Sequence, residues 1–176
     1  MGRGAFWWRR WPTAAALFRS GVDRKAGVTG REKQETFLKE LTDLAPSEAG
    51  AVLIGDGEFH SVDLLKTARQ GKWAYCVRSH ADTYLRDRTG DRKADVQKAD
   101  GKLWRECRAL DSKEGKSHAL QEVSITRDHD FGPVNLIYHW AEGEEQSWRL
   151  VTNLPADFSV VRLYKKRMWI EELFGD

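Results

Sequence analysis

The segment Ala51-Val-Leu-Ile-Gly-Asp-Gly57 is the stretch that decides the fold. Its first four residues form a continuous apolar run with β-branched side chains, and two glycines then bracket Asp56. A run of this kind predicts a short strand that is covered on both faces, as in the middle of a parallel sheet. We therefore expect a buried strand that ends at Asp56.

A helix and a second strand are predicted directly after this segment. Ser61 can cap the helix, apolar side chains then recur at helical spacing, and Gly71 is expected to supply the left-handed stop. The composition of Trp73–Arg78 is typical of another strand. Strand, helix and strand in this order predict a βαβ unit with a right-handed crossover.

Upstream of the first strand, the sequence predicts a helix and an unusual basic beginning. Arg31–Leu44 has apolar residues at helical spacing, with Pro46 shortly beyond its end. The earlier segment Ala5–Pro12 carries three tryptophans and two arginines. It would suit a membrane interface or a stacked nucleic acid. The simpler interpretation, which we favour, is a strand or chain end whose rings pack on the domain.

Downstream of His80, short alternating runs separated by turn residues predict antiparallel strands. These runs are 102–110, 120–126, 134–140 and 148–153. The closing segment Ser159–Phe174 has apolar residues roughly on one side and predicts a helix. The antiparallel runs therefore resemble an insertion between the βαβ unit and the final helix.

The composition is that of a soluble globular domain. Of the 176 residues, 40% are hydrophobic, and 29 Lys and Arg face 27 Asp and Glu, so the net charge does not by itself require a polyanionic partner. Cys76 and Cys107 have neither disulfide-framework nor zinc spacing and are expected as reduced thiols. No apolar window approaches the length of a membrane span, so we expect a cytoplasmic protein without membrane contact.

Two places in the sequence can carry chemistry. Asp56 follows a buried strand, where polar groups gather around ligands in α/β sheets, so it is either a metal ligand or the first residue of a turn. On the final helix, Tyr164, Arg167 and Glu171 share one face. That face could bind phosphate and approach a metal on Asp56, or it could be an ordinary helix with an exposed Arg-Glu pair.

Together these features resemble one family. Val52–Phe59, with the helix and strand that follow, resembles the second-aspartate region of DDE transposases of the IS4 type. In that family a Tyr-x2-Arg-x3-Glu-x6-Lys signature marks the last catalytic helix, and Tyr164, Arg167 and Glu171 match its first three residues. The resemblance covers about residues 28–176.

The resemblance implies a fold class and a domain organisation. The fold would be α/β, a partial RNase H-like core with an antiparallel β insertion before the last catalytic helix. Residues 1–27 would be an atypical basic Trp-rich N-terminus, 28–80 the partial core with the second catalytic Asp, 81–155 the β-rich insertion and return strand, and 156–176 a truncated catalytic helix.

The resemblance also implies the chemistry. Mg²⁺ or Mn²⁺ held by carboxylates would support DNA cleavage and strand transfer. Asp56 and Glu171 would be the second and third catalytic carboxylates and the metal ligands. Tyr164 and Arg167 would bind DNA through stacking and phosphate contacts. The implied partners are transposon-end and target DNA and, within the DNA complex, a second copy of the chain in a homodimer, in a bacterial-type cytoplasm at the nucleoid.

The sequence departs from the family pattern at two points. No residue before Asp56 matches the first catalytic Asp, since Asp23 lies in a basic polar stretch, and the signature Lys would fall two positions beyond Asp176. We therefore expect a truncated transposase that is inactive alone. The alternative is a non-catalytic DNA-binding remnant that uses the basic termini with Tyr164 and Arg167. A third possibility is a product that does not fold stably.

Overall fold

The structure is a computed structural model that describes residues 50–87 and 104–174, together with Thr36, Leu38–Glu40 and Asp43. For Glu58 and residues 168–174 the description covers the backbone. The strands are β1 (Val52–Gly55), β2 (Ala74–Arg78), β3 (Tyr84–Asp87), β4 (Arg105–Glu106), β5 (Ser117–Ile125), β6 (Phe131–His139) and β7 (Trp148–Thr152), and the helices are α1 (Val62–Gln70) and α2 (Ser159–Phe174).

The strands form one seven-stranded sheet in the order β1-β2-β7-β6-β5-β3-β4. The β1–β2 pair is parallel and the other pairs are antiparallel. The mixed α/β class is thus confirmed. Because β7 pairs with β2, the antiparallel strands extend the same sheet that begins with β1.

The βαβ unit has the predicted strands and the predicted N-terminal cap. The Leu64 amide donates to Ser61 Oγ at 3.2 Å, and β1 and β2 are parallel, as a crossover through α1 requires. The expected left-handed stop at Gly71 is wrong, since Gly71 has φ −73° and the next residue, Lys72, has φ 59°. The amides of Lys72 and Trp73 donate back to the carbonyl oxygens of the last helical turn, as in a Schellman motif.

Both faces of β1 are buried, as predicted. Leu53 belongs to the core cluster that includes Leu65 of α1, whereas Val52 and Ile54 belong to the second cluster, which includes Val160 of α2. Alternate residues of one strand therefore serve two cores. The expected place in the middle of a parallel sheet is not met in the described residues, where β1 ends the sheet.

The antiparallel region was predicted in outline. The runs at 120–126, 134–140 and 148–153 correspond to β5, β6 and β7. The run at 102–110 is mostly not a strand, because β4 spans two residues and a 3-10 turn, Cys107–Leu110, follows it. The sequence reading missed β3, whose four residues pair with β4 and β5.

The remaining expectations concern the two ends of the chain and the two cysteines. The final helix has the predicted bounds, Ser159–Phe174. Cys76 and Cys107 are free and buried, as expected. The helix expected over Arg31–Leu44 lies mostly outside the described residues, although those described there are helical and Leu38 is buried in the α1-side core. The segment Ala5–Pro12 lies entirely outside them.

Candidate functional site

Asp56 lies at the carboxyl end of β1, as the sequence predicted. A short 3-10 turn, Gly57–Phe59, follows it, and the Phe59 amide donates to the Asp56 carbonyl oxygen at 3.0 Å. Since β1 and β2 are parallel, both strands end at the same edge of the sheet. Asp56 therefore shares this edge with the residues that follow Arg78.

The space beside the glycines on either side of Asp56 is filled by other side chains of the protein. A Cβ placed on Gly55 would lie 2.5 Å from the Cβ of Phe59, and one on Gly57 would lie 3.2 Å from Nε2 of His80. Two small residues at these positions indicate that backbone or substrate can approach closely. In the structure, the side chains of Phe59 and His80 fill this space, and their packing holds the turn that follows Asp56.

Two histidines flank the turn after Asp56. Nε2 of His80 lies 3.0 Å from the Gly57 carbonyl oxygen, and Nδ1 of His60 contacts the same oxygen. A carbonyl oxygen only accepts, so each contact requires an N–H on that ring nitrogen. The two rings meet edge to face with centroids 4.3 Å apart. Together they anchor the backbone next to the Asp56 carboxylate.

Arg167 on α2 reaches the Asp56 carboxylate. Its Nη2 donates to Asp56 Oδ2 at 3.1 Å, across 111 residues of sequence. Both side chains retain access to solvent, with exposed fractions of 21% for Arg167 and 36% for Asp56. The structure thus brings together two of the residues that the sequence reading selected from separate motifs.

Tyr164 lies one helical turn before Arg167 and is buried, with 2% of its surface exposed. Its ring meets Trp148 edge to face at 5.3 Å, and the Arg167 guanidinium lies 5.9 Å from its centroid. Burial raises the pKa of the Tyr164 hydroxyl, an effect that Arg167 and Arg78 partly offset. In this arrangement the ring packs inside the protein, so a base has no open face of Tyr164 on which to stack.

The Tyr164 hydroxyl has no hydrogen-bond partner among the described residues. An unsatisfied buried hydroxyl costs stability, so such a group calls for an explanation. It lies on the stripe of α2 that carries Arg167 toward Asp56.

Glu171 belongs to α2, which continues to Phe174. Its backbone is helical, and it lies four residues after Arg167 on the same stripe. The approach of its carboxylate to Asp56 stays a prediction.

The fit of the site to a divalent cation rests on its donor atoms. Mg²⁺ prefers carboxylate oxygens, and Asp56 supplies one carboxylate at an accessible strand end. Among the side chains that the structure describes, which leave out those of Glu58 and residues 168–174, no three from His, Cys, Asp or Glu come together in a way that could hold a metal. The described side chains therefore provide one ligand of suitable chemistry and not a complete set.

The sequence reading missed the residues that surround Asp56. The histidines of the sequence, His60 and His80 among them, lack metal-ligand spacing, and Arg78 is predicted only as part of a strand. A signal for them existed, because parallel strands that end at one edge place the residues after β2 beside those after β1. The same reasoning that selected Asp56 would have selected His80.

Comparison with known proteins adds one finding. A family model described as a transposase DDE domain matches residues 19–176. No curated protein and no solved structure matches the chain at a significant level. None of the described helices has the length and apolarity needed to cross a membrane.

Proposed function

The chain belongs to the family of transposase DDE domains, and on that premise we propose that it is an IS4-type member whose parent activity is metal-dependent DNA cleavage and strand transfer. Membership implies DNA binding, and the family typically uses a divalent metal. In the proposal, Asp56 and Glu171 are the catalytic carboxylates and hold Mg²⁺ or Mn²⁺. Arg167 and Tyr164 belong to the DNA-binding part of the same site.

The observation that carries the proposal is the contact between Arg167 and Asp56. The two residues come from motifs that are far apart in sequence and were selected for separate reasons. If Asp56 only began a turn and Arg167 only covered an exposed helix face, the two side chains would have no reason to be in contact. Their meeting at the carboxyl edge of β1 is what a site that handles phosphate and a cation needs.

The chain's own residues suggest how such a site would work. The Arg167 guanidinium now neutralises the carboxylate that would otherwise hold a cation. A DNA phosphate offers this guanidinium a bidentate partner and can draw it from Asp56. The carboxylate would then be open to metal, whose role would be to stabilise charge on the reacting phosphate oxygens.

Tyr164 would assist the transfer of the Arg167 guanidinium from Asp56 to a DNA phosphate. Its buried ring lies under the Arg167 guanidinium and limits the positions that the side chain can take. We therefore assign Tyr164 a positioning role in DNA binding, in place of the stacking contact that the sequence suggested. A shift of α2 on DNA binding would offer its hydroxyl, which has no hydrogen-bond partner among the described residues, to a phosphate oxygen.

The RNase H-like core is also a proposal. It is supported by the parallel β1–β2 pair with its connecting helix and by the packing of α2 against the opposite face of the same strands. The antiparallel strands lie between this unit and α2 in sequence, as the resemblance implies. A homodimer within the DNA complex belongs to the same proposal.

The alternative function is DNA binding without catalysis. It is favoured by one observation, namely that Asp56 is paired with Arg167 and that the described side chains complete no three-ligand metal site. It predicts salt-dependent DNA binding that does not change when divalent metal is removed.

Strand nicking tests the two functions against each other. The substrate is a supercoiled plasmid that carries the DNA flanking this reading frame, with Mg²⁺ or Mn²⁺ present. Any nicking by the chain should be abolished by Asp56→Asn and unchanged by Asp63→Asn, which alters an exposed carboxylate on α1. Nicking that survives Asp56→Asn would overturn the catalytic assignment. Metal-independent binding without any nicking would select the alternative.

A further inference from the structure

A groove lies beside the first turn of α2, away from the Asp56 contact. Its volume is about 800 Å³. One wall comes from the facing ends of β5 and β6, and the other from the start of α2. The lining residues include Gly115–Ser117, His139, Asp157–Ser159, Arg162 and Lys165.

The charge of this groove is mainly positive. Lys116, Arg162 and Lys165 line it, and all three are exposed. The one carboxylate in the lining, Asp157, accepts a hydrogen bond at 2.7 Å from the Ser159 amide at the beginning of α2. Three cations thus face one carboxylate that is already engaged, so the groove complements a polyanion.

An apolar ring stands in the same groove. Phe158 is 51% exposed, although large apolar side chains are usually buried. The wall opposite includes His139, whose Nε2 is buried and has no hydrogen-bond partner among the described residues. A ligand that matches these features combines negative charge with a flat ring and hydrogen-bonding edges.

We propose that this basic groove, lined by Lys116, Phe158, Arg162 and Lys165, binds the DNA that extends from the Asp56–Arg167 site. The three cations contact backbone phosphates, and the Phe158 ring packs against an unstacked base. DNA satisfies both features at once, whereas an acidic peptide would satisfy the cations and leave Phe158 without a partner. The inference rests on the proposed function, because it extends the DNA path of that site.

The position of α2 links the two places. Phe158, Arg162 and Lys165 lie on one side of the helix at spacings of four and three residues. Arg167 follows Lys165 by two residues and lies on the other side, toward Asp56. One helix therefore presents cations to both places.

The test measures the salt dependence of DNA affinity. A fluorescein-labelled duplex of mixed sequence with a single-stranded tail is titrated with the full chain between about 50 and 200 mM salt. In Arg162→Gln/Lys165→Gln we expect Kd to rise about tenfold, and the slope of log K against log salt to fall by about 2, roughly one for each lost phosphate contact. Phe158→Ser should weaken binding of the tailed duplex more than that of a blunt duplex.

Lys166→Gln is the matched control. Lys166 is exposed on the same helix, next to Lys165, and does not line the groove. It should leave Kd within about twofold and the slope nearly unchanged, because it lies away from the proposed path. Since all the substituted side chains are exposed, thermal unfolding of each variant should match that of the parent chain, which separates binding from folding.

The outcomes separate this inference from the function on which it rests. If the parent chain binds neither duplex, the proposed DNA function fails together with the groove. If the parent binds and the double variant behaves like Lys166→Gln, the groove proposal is overturned while DNA binding by the Asp56 site stands. Equal weakening by Lys166→Gln would likewise overturn it, since it would indicate a diffuse charge effect.

Discussion

Two of the arginine-aspartate pairs among the described residues share the same chemistry and differ in geometry. Arg149 and Asp111 join β7 to the turn before β5 through two contacts, one of them from Nε to Oδ1 at 2.6 Å. Their exposed fractions are 9% and 24%. Arg167 donates one hydrogen bond to Asp56 at 3.1 Å. The exposed fraction of Arg167, 21%, is more than twice that of Arg149.

The difference separates a structural pair from an exchangeable one. The bidentate pair engages both carboxylate oxygens of Asp111 and fixes the geometry of a largely buried arginine. The Arg167–Asp56 contact is a single hydrogen bond at a solvent-accessible strand end, so this pair lacks the second bond that fixes the geometry of a bidentate pair. The first pair holds the antiparallel region together, and the second is suited to giving up one ligand for another.

Removing each arginine in turn tests whether the two pairs differ in their contribution to stability. Arg149→Ala should lower the free energy of unfolding by about 3 kcal/mol, because it leaves Asp111 without its partner in a shielded site. Arg167→Ala should cost less than about 1 kcal/mol, as exposed pairs do, while weakening DNA binding. Urea unfolding measures the first effect and DNA titration the second. Equal losses of stability would remove the distinction between the pairs.

A second test concerns the turn that supports Asp56. Gly55→Ala would place a Cβ against the Cβ of Phe59, and such overpacking should cost about 2 kcal/mol. Gly115 lies in the antiparallel region with open space around its Cβ position and φ +71°, so Gly115→Ala should cost only about 1 kcal/mol through backbone conformation. Thermal unfolding of both variants compares them. A smaller loss at Gly55 than at Gly115 would show that Phe59 does not anchor the turn.

A third test compares two buried tyrosines. The Tyr138 hydroxyl donates to the Cys107 carbonyl oxygen at 2.9 Å, whereas the Tyr164 hydroxyl has no partner among the described residues. Tyr138→Phe should therefore destabilise the protein by about 1 kcal/mol, and Tyr164→Phe should be neutral or stabilising by a similar amount.

Both effects can be read from urea unfolding. If Tyr164→Phe also weakens DNA binding while the fold is kept, the hydroxyl serves the site. A loss of stability in Tyr164→Phe equal to that in Tyr138→Phe would mean that the hydroxyl is satisfied within the protein.

The smallest expected effect is a pH dependence at His139. Burial, and then the charge of Lys165, lower the pKa of His139 below its ordinary value, while Glu144 acts in the opposite direction. The unfolded chain therefore binds the proton more readily, and stability should fall as pH decreases through about 6.5 toward the lower pKa of the folded state. Thermal unfolding between about pH 7.5 and 5.5 should show a shallower decline in His139→Gln. If the melting temperature of His139→Gln fell with pH as steeply as that of the parent chain, His139 would not contribute to the pH dependence of stability.

Local patterns in the sequence predicted much of the site. The apolar run before Asp56 and the spacing of Tyr164 and Arg167 are local features, and each was placed correctly on its strand end or helix. The packing between them depends on contacts across the fold, so the burial of Tyr164 could not be read from helical spacing. Gly55 and Gly57 indicate close approach of some group, but the sequence could not identify that group as the side chains of Phe59 and His80.

The antiparallel region was less predictable for a related reason. The four residues of β3 are too few for a clear period-two pattern, and the strand exists because β4 and β5 pair with it. The Arg149–Asp111 pair likewise joins residues 38 positions apart, with no local motif to mark it. Short-range periodicity therefore identified helices and strands. The partners of the charged side chains are determined by how those helices and strands are arranged in the fold.

Iron-mediated cleavage of the protein backbone tests directly whether Asp56 and Glu171 hold a divalent cation at the edge of the sheet where Arg167 contacts Asp56. Fe²⁺ replaces Mg²⁺ in the full chain bound to DNA, ascorbate and peroxide generate local radicals, and mass spectrometry locates the cuts. We expect cuts near Asp56 and near Glu171 that excess Mg²⁺ and Asp56→Asn both suppress. Cuts that cluster elsewhere, or that persist in Asp56→Asn, would contradict it.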